Sequence, residues 1–192
     1  MTTGQAHLHN SGGPAAAASV WVAEERRPHF SKDPAERYHA LIDANGLHLA
    51  TTLELLGGAE VFSHAPRNLL DVHQWVAHGI PSASIAHLAQ AIEPLPARAL
   101  SEALGVSVRT LHRKKGGQGD TLSVAQGGRT FKFAEVVAKA TLALGSREAA
   151  VRWLTSPALG LDQQKPIDLL ATPVGTQLVE ELLDRIEYGV YA

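Results

Sequence analysis

A run of basic and hydroxyl side chains in the middle of the chain is suited to binding nucleic acid. It comprises Ser107, Arg109, Thr110, His112, Arg113, Lys114 and Lys115, and no acidic residue lies between Ala103 and Gly119. Lysine and arginine pair with phosphates, and arginine can also read a guanine edge with two hydrogen bonds. We therefore predict that these side chains bind DNA, with Arg109 and Arg113 reading the bases.

Two helices joined by a tight turn would position these side chains. Helical periodicity continues on both sides of Gly105, and such an abrupt break is typical of a helix-turn-helix, whose second helix enters a DNA groove. We expect Ser107 to cap the second helix and the small Ser101 to lie where the two helices approach most closely. The apolar residues expected to fix the angle between the helices are Leu100, Leu104, Val106, Val108 and Leu111.

The other candidate residues for chemistry do not form a recognisable site. The chain has no cysteine, which excludes disulfides, thiolate metal sites and thiol catalysis. Its ten histidines are scattered, and His73 and His78 are five residues apart rather than the four of a helical metal-binding pair. The glycine-rich run at 116–119 lacks the lysine and hydroxyl of a phosphate-binding loop and is expected to be a hinge. We expect no catalytic residue, metal or cofactor, and no enzymatic activity.

Composition and charge distribution narrow the class of protein. The chain has 192 residues and a formal net charge of −2, so it is not a polycation of the histone type. Charge is nevertheless uneven, because six acids after Pro157 face only Lys165 and Arg185: Asp162, Asp168, Glu180, Glu181, Asp184 and Glu187. A basic middle and an acidic end suggest two partners of opposite charge. The start of the chain lacks a secretory signal and no apolar run could cross a bilayer, so we expect a cytoplasmic protein.

Periodicity predicts an all-α fold. Helices are expected over 33–44, 48–56, 66–79, 82–92, 129–144 and 146–154, and from Thr172 onward. In the last helix Val174, Leu178, Leu182 and Ile186 recur every fourth residue, with Val179 and Leu183 beside them and acids on the opposite face. We predict three parts: a disordered tail over 1–30, a helical region with the helix-turn-helix over 31–120, and a small helical domain over 121–192.

The C-terminal motifs resemble one family. They comprise Ala-Ala-Val-Arg-Trp-Leu at 149–154, Pro157, Lys-Pro-Ile-Asp-Leu-Leu at 165–170, Thr172, Gly175, Val179 and Arg-Ile-Glu-Tyr-Gly-Val-Tyr-Ala at 185–192. In this order they resemble the antitoxins of the Xre, MbcA and ParS family, from about Gly57 to Ala192. The segment 107–113 fits the regulatory half of the same family. The arginine-rich segment usual before the long helix is reduced here to Gly127-Gly128-Arg129-Thr130.

The resemblance implies an antitoxin of a type II toxin–antitoxin pair. The partner in such pairs is a RES-domain toxin that degrades NAD or uses it for ADP-ribosylation. The C-terminal region of the antitoxin, here within 121–192, would cover the NAD cleft of the toxin, and the complex would repress its own operon through the helix-turn-helix. We also expect a homodimer, because one recognition helix contacts too few base pairs for strong discrimination.

The end of the chain supplies the expected toxin contacts. These are Asp184, Arg185, Glu187, Tyr188, Gly189, Val190 and Tyr191. Acidic groups could satisfy the donors of a dinucleotide pocket, and tyrosines suit interface centres. The alternative is that Tyr188 and Tyr191 pack against the preceding helix. A repressor with a helix-turn-helix and no toxin partner is the rival function, and a helical enzyme is a third class that no constellation of residues supports.

Overall fold

The computed structural model describes residues 46–66, 69–111, 120–187 and 189. The expected tail, the helix predicted over 33–44 and the glycine-rich run at 116–119 lie outside these residues. Within the described ranges the fold is all-α, as predicted. Two isolated bridges, Pro81 with Thr121 and Ala158 with Gln164, are the only β pairing in that part of the chain.

Ten α-helices and one 3-10 turn make up the described structure. They are α1 (Gly46–Leu55), α2 (Gly58–Val61), α3 (Leu69–His78), α4 (Ala83–Ala91), α5 (Ala97–Leu104), α6 (Val108–Leu111), α7 (Val124–Leu144), α8 (Arg147–Leu154), the 3-10 turn (Leu159–Leu161), α9 (Pro166–Leu169) and α10 (Pro173–Glu187). The predicted break at Gly57-Gly58 is confirmed, because Gly57 takes the left-handed φ of 103° between α1 and α2.

Helix α7 is the central element, since it contacts α1, α3, α4, α5, α8 and α10. It begins at Val124, so the expected start at Arg129 is wrong. A capping box explains the earlier start: Ser123 Oγ accepts from Gln126 N at 3.3 Å, and Gln126 Oε1 accepts from Ser123 N at 3.4 Å. Gly127 is buried inside α7, and its missing side chain leaves room for Ile80. The segment 127–130 is therefore the first part of the long helix and not a linker before it.

One connected core joins both halves of the described chain. Ile85, Leu88 and Ile92, at the helical spacing of three and four, are at most 1% exposed and form one buried stripe along and just after α4. Phe131 is buried, and Trp75 and Trp153 are half-buried against the core. Trp75 also stacks on Phe62 with ring centroids 4.9 Å apart. Because α7 contributes to this core on several faces, it connects the helix-turn-helix to the C-terminal helices.

The C-terminal helices begin where the sequence predicts. Ser146 caps α8, since its Oγ accepts from Ala149 N at 3.1 Å. Thr172 performs the same role for α10 by accepting from Gly175 N at 3.1 Å. Each hydroxyl satisfies one of the backbone N–H groups that a helix start leaves without a partner. These two caps fix the direction in which α8 and α10 leave the preceding loops.

Candidate functional site

The turn between α5 and α6 has the geometry of a helix-turn-helix. Helix α5 ends at Gly105, whose φ of 64° and ψ of 37° lie in the left-handed region that favours glycine. Ser101 Oγ donates to the carbonyl of Val106 at 2.5 Å, so the small hydroxyl does lie where the two segments meet. Leu100, Leu104 and Val106 are buried beside it. The sequence therefore predicted both the turn and its packing.

Helix α6 carries the predicted DNA-contacting residues that the structure describes. Ser107 Oγ accepts from Thr110 N at 3.2 Å, which confirms the expected cap. Arg109 is exposed on the first turn, whereas Thr110 is half-buried and its hydroxyl lies 2.9 Å from Ser107 Oγ. His112, Arg113, Lys114 and Lys115 lie outside the described residues. Of the predicted cations, Arg109 is thus the one whose placement is established.

One expected core residue of the helix-turn-helix faces solvent. Val108 is 41% exposed, so the prediction that it fixes the interhelical angle is wrong. Leu111, three residues later, is 3% exposed and takes the core position. The reason is the helical period: in so short an element only one face can point at α4 and α5, and Leu111 occupies it. Val108 instead lies next to Arg109 on the exposed side.

Arg129 adds a positive charge near the turn between α5 and α6. It is not among the DNA-contacting residues predicted from the sequence. It is exposed on the second turn of α7, and its guanidinium occupies the space above Gly105 where a side chain at that position would point. The contact places a positive charge beside the turn that precedes Arg109. No spacing rule links residues 105 and 129, so only the packing of α7 against α5 could reveal it.

The C-terminal helix α10 buries only part of the apolar face that the sequence predicts. Val179 and Leu183 are fully buried, and Gly175 lies so close to the carbonyl of Leu169 that no side chain fits there. The apolar residues that recur every fourth position from Val174 do not all face the core. Val174 is 70% and Leu178 is 46% exposed. Its other members, Leu182 and Ile186, pack partly against the core. Apolar side chains thus face solvent near the start of α10.

Two acids of α10 face lysines of α7. Lys132 Nζ lies 2.7 Å from Glu180 Oε1 and 3.5 Å from Glu135 Oε2. Lys139 Nζ lies 2.5 Å from Asp184 Oδ1. These pairs are not among the contacts predicted from the sequence. Their signal in the sequence is two lysines spaced two turns apart on α7 and two acids spaced one turn apart on α10. These ion pairs turn part of the acidic face of α10 inward.

The electrostatics around Lys132 show a crowded, partly buried cluster. Burial favours the neutral lysine, but the hydrogen bond with Glu180 and the charge of Glu135 outweigh it and raise the pKa of Lys132. Burial also raises the pKa of Glu135, although the charge of Lys132 opposes that shift. The lysine is shared between two carboxyl groups, Glu135 on its own helix and the less exposed Glu180 on α10. This arrangement holds α7 and α10 in one register.

The expected toxin-contacting residues have different surroundings. Asp184 is engaged by Lys139. Arg185 is exposed, with its Nε 3.4 Å from the carbonyl of Glu181, and Glu187 and Gly189 are exposed beyond it. The predicted tyrosines, Tyr188 and Tyr191, and Val190 between them, lie outside the described residues. The structure brings the described members together along the last turn of α10.

Neither a metal centre nor a membrane span is found among the described residues. No group of three or more histidine, aspartate, glutamate or cysteine side chains there could hold a metal ion. In the same part of the chain no helix combines the length and apolar character that crossing a bilayer requires.

Two family models match the chain in succession. Residues 71–135 match the Xre-like helix-turn-helix domain of antitoxins, and residues 139–189 match the C-terminal toxin-binding domain of the Xre, MbcA and ParS antitoxins. The first match contains α5, α6 and Arg129. The second contains α8, the 3-10 turn, α9 and α10. The order of the two matches is the order of the two halves described above.

Individual relatives agree with these matches. The chain is 29% identical over 99 residues to a protein named antitoxin Xre from Yersinia enterocolitica, covering 51% of this chain and 66% of that protein. It is 35% identical over 68 residues to an antitoxin Xre from Pseudomonas putida, covering 35% of this chain and 43% of that one. The chain thus spans less than two thirds of the length of either relative. Through its helix-turn-helix and the C-terminal domain that follows it, this chain belongs to the Xre/MbcA/ParS-type antitoxin family.

Proposed function

We propose that this chain is the antitoxin of a type II toxin–antitoxin system that also represses its own operon. The observation that supports this proposal most strongly is the joining of two units through α7. A helix-turn-helix presents Arg109, and a domain of the toxin-binding type is held to α7 by Lys132 and Lys139. Helix α7 thus packs against both the nucleic-acid-binding unit and the protein-binding unit.

The DNA-binding half contacts operator DNA through the start of α6. Exposed Arg109 is suited to a guanine edge, and the capped helix N-terminus at Ser107 is suited to a phosphate. Arg113, Lys114 and Lys115 extend the same cationic segment in the sequence. A homodimer would present two such helices to a symmetric operator, which supplies the discrimination that a single helix lacks.

The C-terminal half neutralises a RES-domain toxin that consumes NAD or transfers its ADP-ribose. In this proposal the end of the chain, from Arg185 through Tyr191, covers the nucleotide cleft of the toxin. The last turn of α10 carries the exposed Arg185 and Glu187, and tyrosines such as the two that follow in the sequence bring a large contact area to an interface. The antitoxin itself performs no chemistry.

Co-expression with the neighbouring open reading frame tests the proposal. We expect the chain to rescue growth, to co-purify with the toxin and to suppress NAD consumption by the purified toxin. Deletion of residues 188–192 should restore NAD consumption while leaving operator binding intact. Operator binding without growth rescue or co-purification would favour the rival function, a repressor without a toxin. Full inhibition by the truncated chain would contradict the role given to the terminal tyrosines.

A further inference from the structure

We propose that the toxin docks on an apolar patch formed by Leu159, Val174 and Leu178, separate from the acidic end of the chain. This inference rests on the proposed toxin partner and assigns the surface that binds it. Leu159 is 84%, Val174 70% and Leu178 46% exposed. Of the large apolar side chains that the structure describes as exposed, these three lie within the segment matched to the toxin-binding domain.

Packing places the 3-10 turn that carries Leu159 against α10, the helix that carries Val174 and Leu178. Gly160 lies directly against Leu182, since a Cβ at Gly160 would be 2.7 Å from Leu182 Cδ1. Leu159 is the neighbour of Gly160 in the chain, and Leu178 precedes Leu182 by one turn on the same face of α10. Val174 continues that face by a further turn. The contact between Gly160 and Leu182 therefore joins the 3-10 turn to the exposed side of α10.

The burial of Val179 and Leu183 and the ion pairs between α7 and α10 together leave this face open. Glu180 and Asp184 are held by Lys132 and Lys139, so α10 cannot rotate to bury Val174 and Leu178 without breaking both pairs. A polar row borders the patch: Gln177 Nε2 donates to Glu181 Oε1 at 2.9 Å, and Arg185 follows one turn later. An apolar centre beside a polar rim is the usual anatomy of a protein interface.

The size of the patch favours the toxin over a second copy of this chain. Three side chains expose on the order of a few hundred Å², which is the size of a functional patch on a monomer. Pairing two copies through this patch alone would bury less than the about 1,200 Å² of a specific interface. A toxin that also contacts the last turn of α10 would add that surface, because both belong to one helix. The partner is thus expected to present an apolar surface next to the pocket that receives the chain end.

Affinity measurements on full-length variants test the patch. Leu178→Ser and Val174→Ser remove the apolar contacts, and Val124→Ser is the matched control, since Val124 is 57% exposed at the start of α7 outside the toxin-binding match. We expect each patch variant to bind the purified toxin at least about tenfold more weakly by calorimetry, as for truncation of a central interface residue. Val124→Ser should bind like the unaltered chain. Thermal melts verify that all variants are folded.

The possible results distinguish a wrong patch assignment from a wrong proposed function. If the unaltered chain binds no toxin, the proposed function fails and the patch assignment fails with it. If the unaltered chain binds and the folded patch variants bind equally well, the patch assignment alone is overturned. Light scattering measures the oligomeric state of the variants. If Leu178→Ser loses a dimer but keeps its affinity for the toxin, a second copy of this chain binds the patch, which would contradict the proposal.

Discussion

Lys139 on α7 and Asp184 on α10 form an ion pair with Nζ 2.5 Å from Oδ1, on a helix whose Val179 and Leu183 are buried in the core. The side chain of Lys139 is only 18% exposed, so the pair is partly shielded from water. With the neighbouring pair of Lys132 and Glu180 and the buried Val179 and Leu183, it holds α10 in one rotation about its own axis. The apolar side chains on the other side of α10 then remain accessible.

Lys139→Met should destabilise the fold modestly. The substitution keeps the apolar stem of the side chain and removes the charge, and Asp184 is exposed enough to regain water. We expect a loss of about 1 kcal/mol in the free energy of unfolding, or roughly 2–4 °C in melting temperature. Lys165→Met, at an exposed lysine, is the control. A double-mutant cycle with Asp184→Asn isolates the pair, and a coupling energy near zero would show that it contributes nothing.

Gly105→Ala should weaken operator binding beyond its effect on stability. Gly145→Ala is matched to it, because both glycines have positive φ (64° and 83°) and both substitutions cost about 1–2 kcal/mol of backbone strain. Only at Gly105 does the new methyl displace the Arg129 guanidinium, whereas a methyl at Gly145 would have no other side chain or backbone atom within 4 Å beyond its chain neighbours. Melting temperatures should therefore fall alike, and operator affinity, measured by fluorescence anisotropy, should fall only in Gly105→Ala. Equal operator affinity in the two variants would remove any role for the contact between Gly105 and Arg129.

Arg109→Ala should reduce both affinity and sequence preference for the operator. Loss of a two-hydrogen-bond contact to guanine costs about 1–3 kcal/mol, which corresponds to roughly tenfold to hundredfold in dissociation constant. Arg152→Ala, at an exposed arginine of α8, is the control and should leave DNA binding unchanged. Gel-shift titrations on operator and scrambled DNA make the comparison. A loss that is the same on both DNAs would mean that Arg109 contacts phosphate rather than a base.

Glu135→Gln should stabilise the protein at neutral pH and lose that advantage in acid. Burial raises the pKa of Glu135, so the folded state binds the proton more tightly than the unfolded chain does. The resulting stabilisation is complete below the ordinary pKa and is lost as the pH rises through the folded value. A neutral amide should therefore raise the melting temperature at pH 7 by about 1–2 °C, with the difference shrinking toward pH 4.

Glu148→Gln should change the melting temperature in the opposite direction to Glu135→Gln. The pKa of Glu148 is lowered by hydrogen bonding to its own backbone N–H and to the hydroxyl of Ser146. Its stabilisation is therefore present above the ordinary pKa and is lost as the pH falls through the folded value. Differential scanning fluorimetry from pH 4 to 7 should show a lower melting temperature for Glu148→Gln at neutral pH. Shifts of the same sign in both variants would contradict this account of the two carboxyl groups.

The sequence by itself determined the features whose physics is local. The breaks at Gly57 and Gly105 and the caps at Ser107, Ser146 and Thr172 follow from backbone conformation and hydrogen bonds within a few residues, so reading along the chain is sufficient to find them. The ordered C-terminal motifs also indicated the family before any contact was known.

Tertiary structure decided the features that depend on contacts between helices. A four-residue spacing placed Val174, Leu178, Leu182 and Ile186 on one stripe, but only the packing of α10, with Val179 and Leu183 buried and two acids paired with lysines of α7, determined that Val174 and Leu178 would be the exposed part. Gly127 lies inside α7 and packs against Ile80, and Arg129 reaches Gly105 because α7 contacts α5. Such contacts join residues far apart in the chain, and their energies come from packing and paired charges that no local pattern contains.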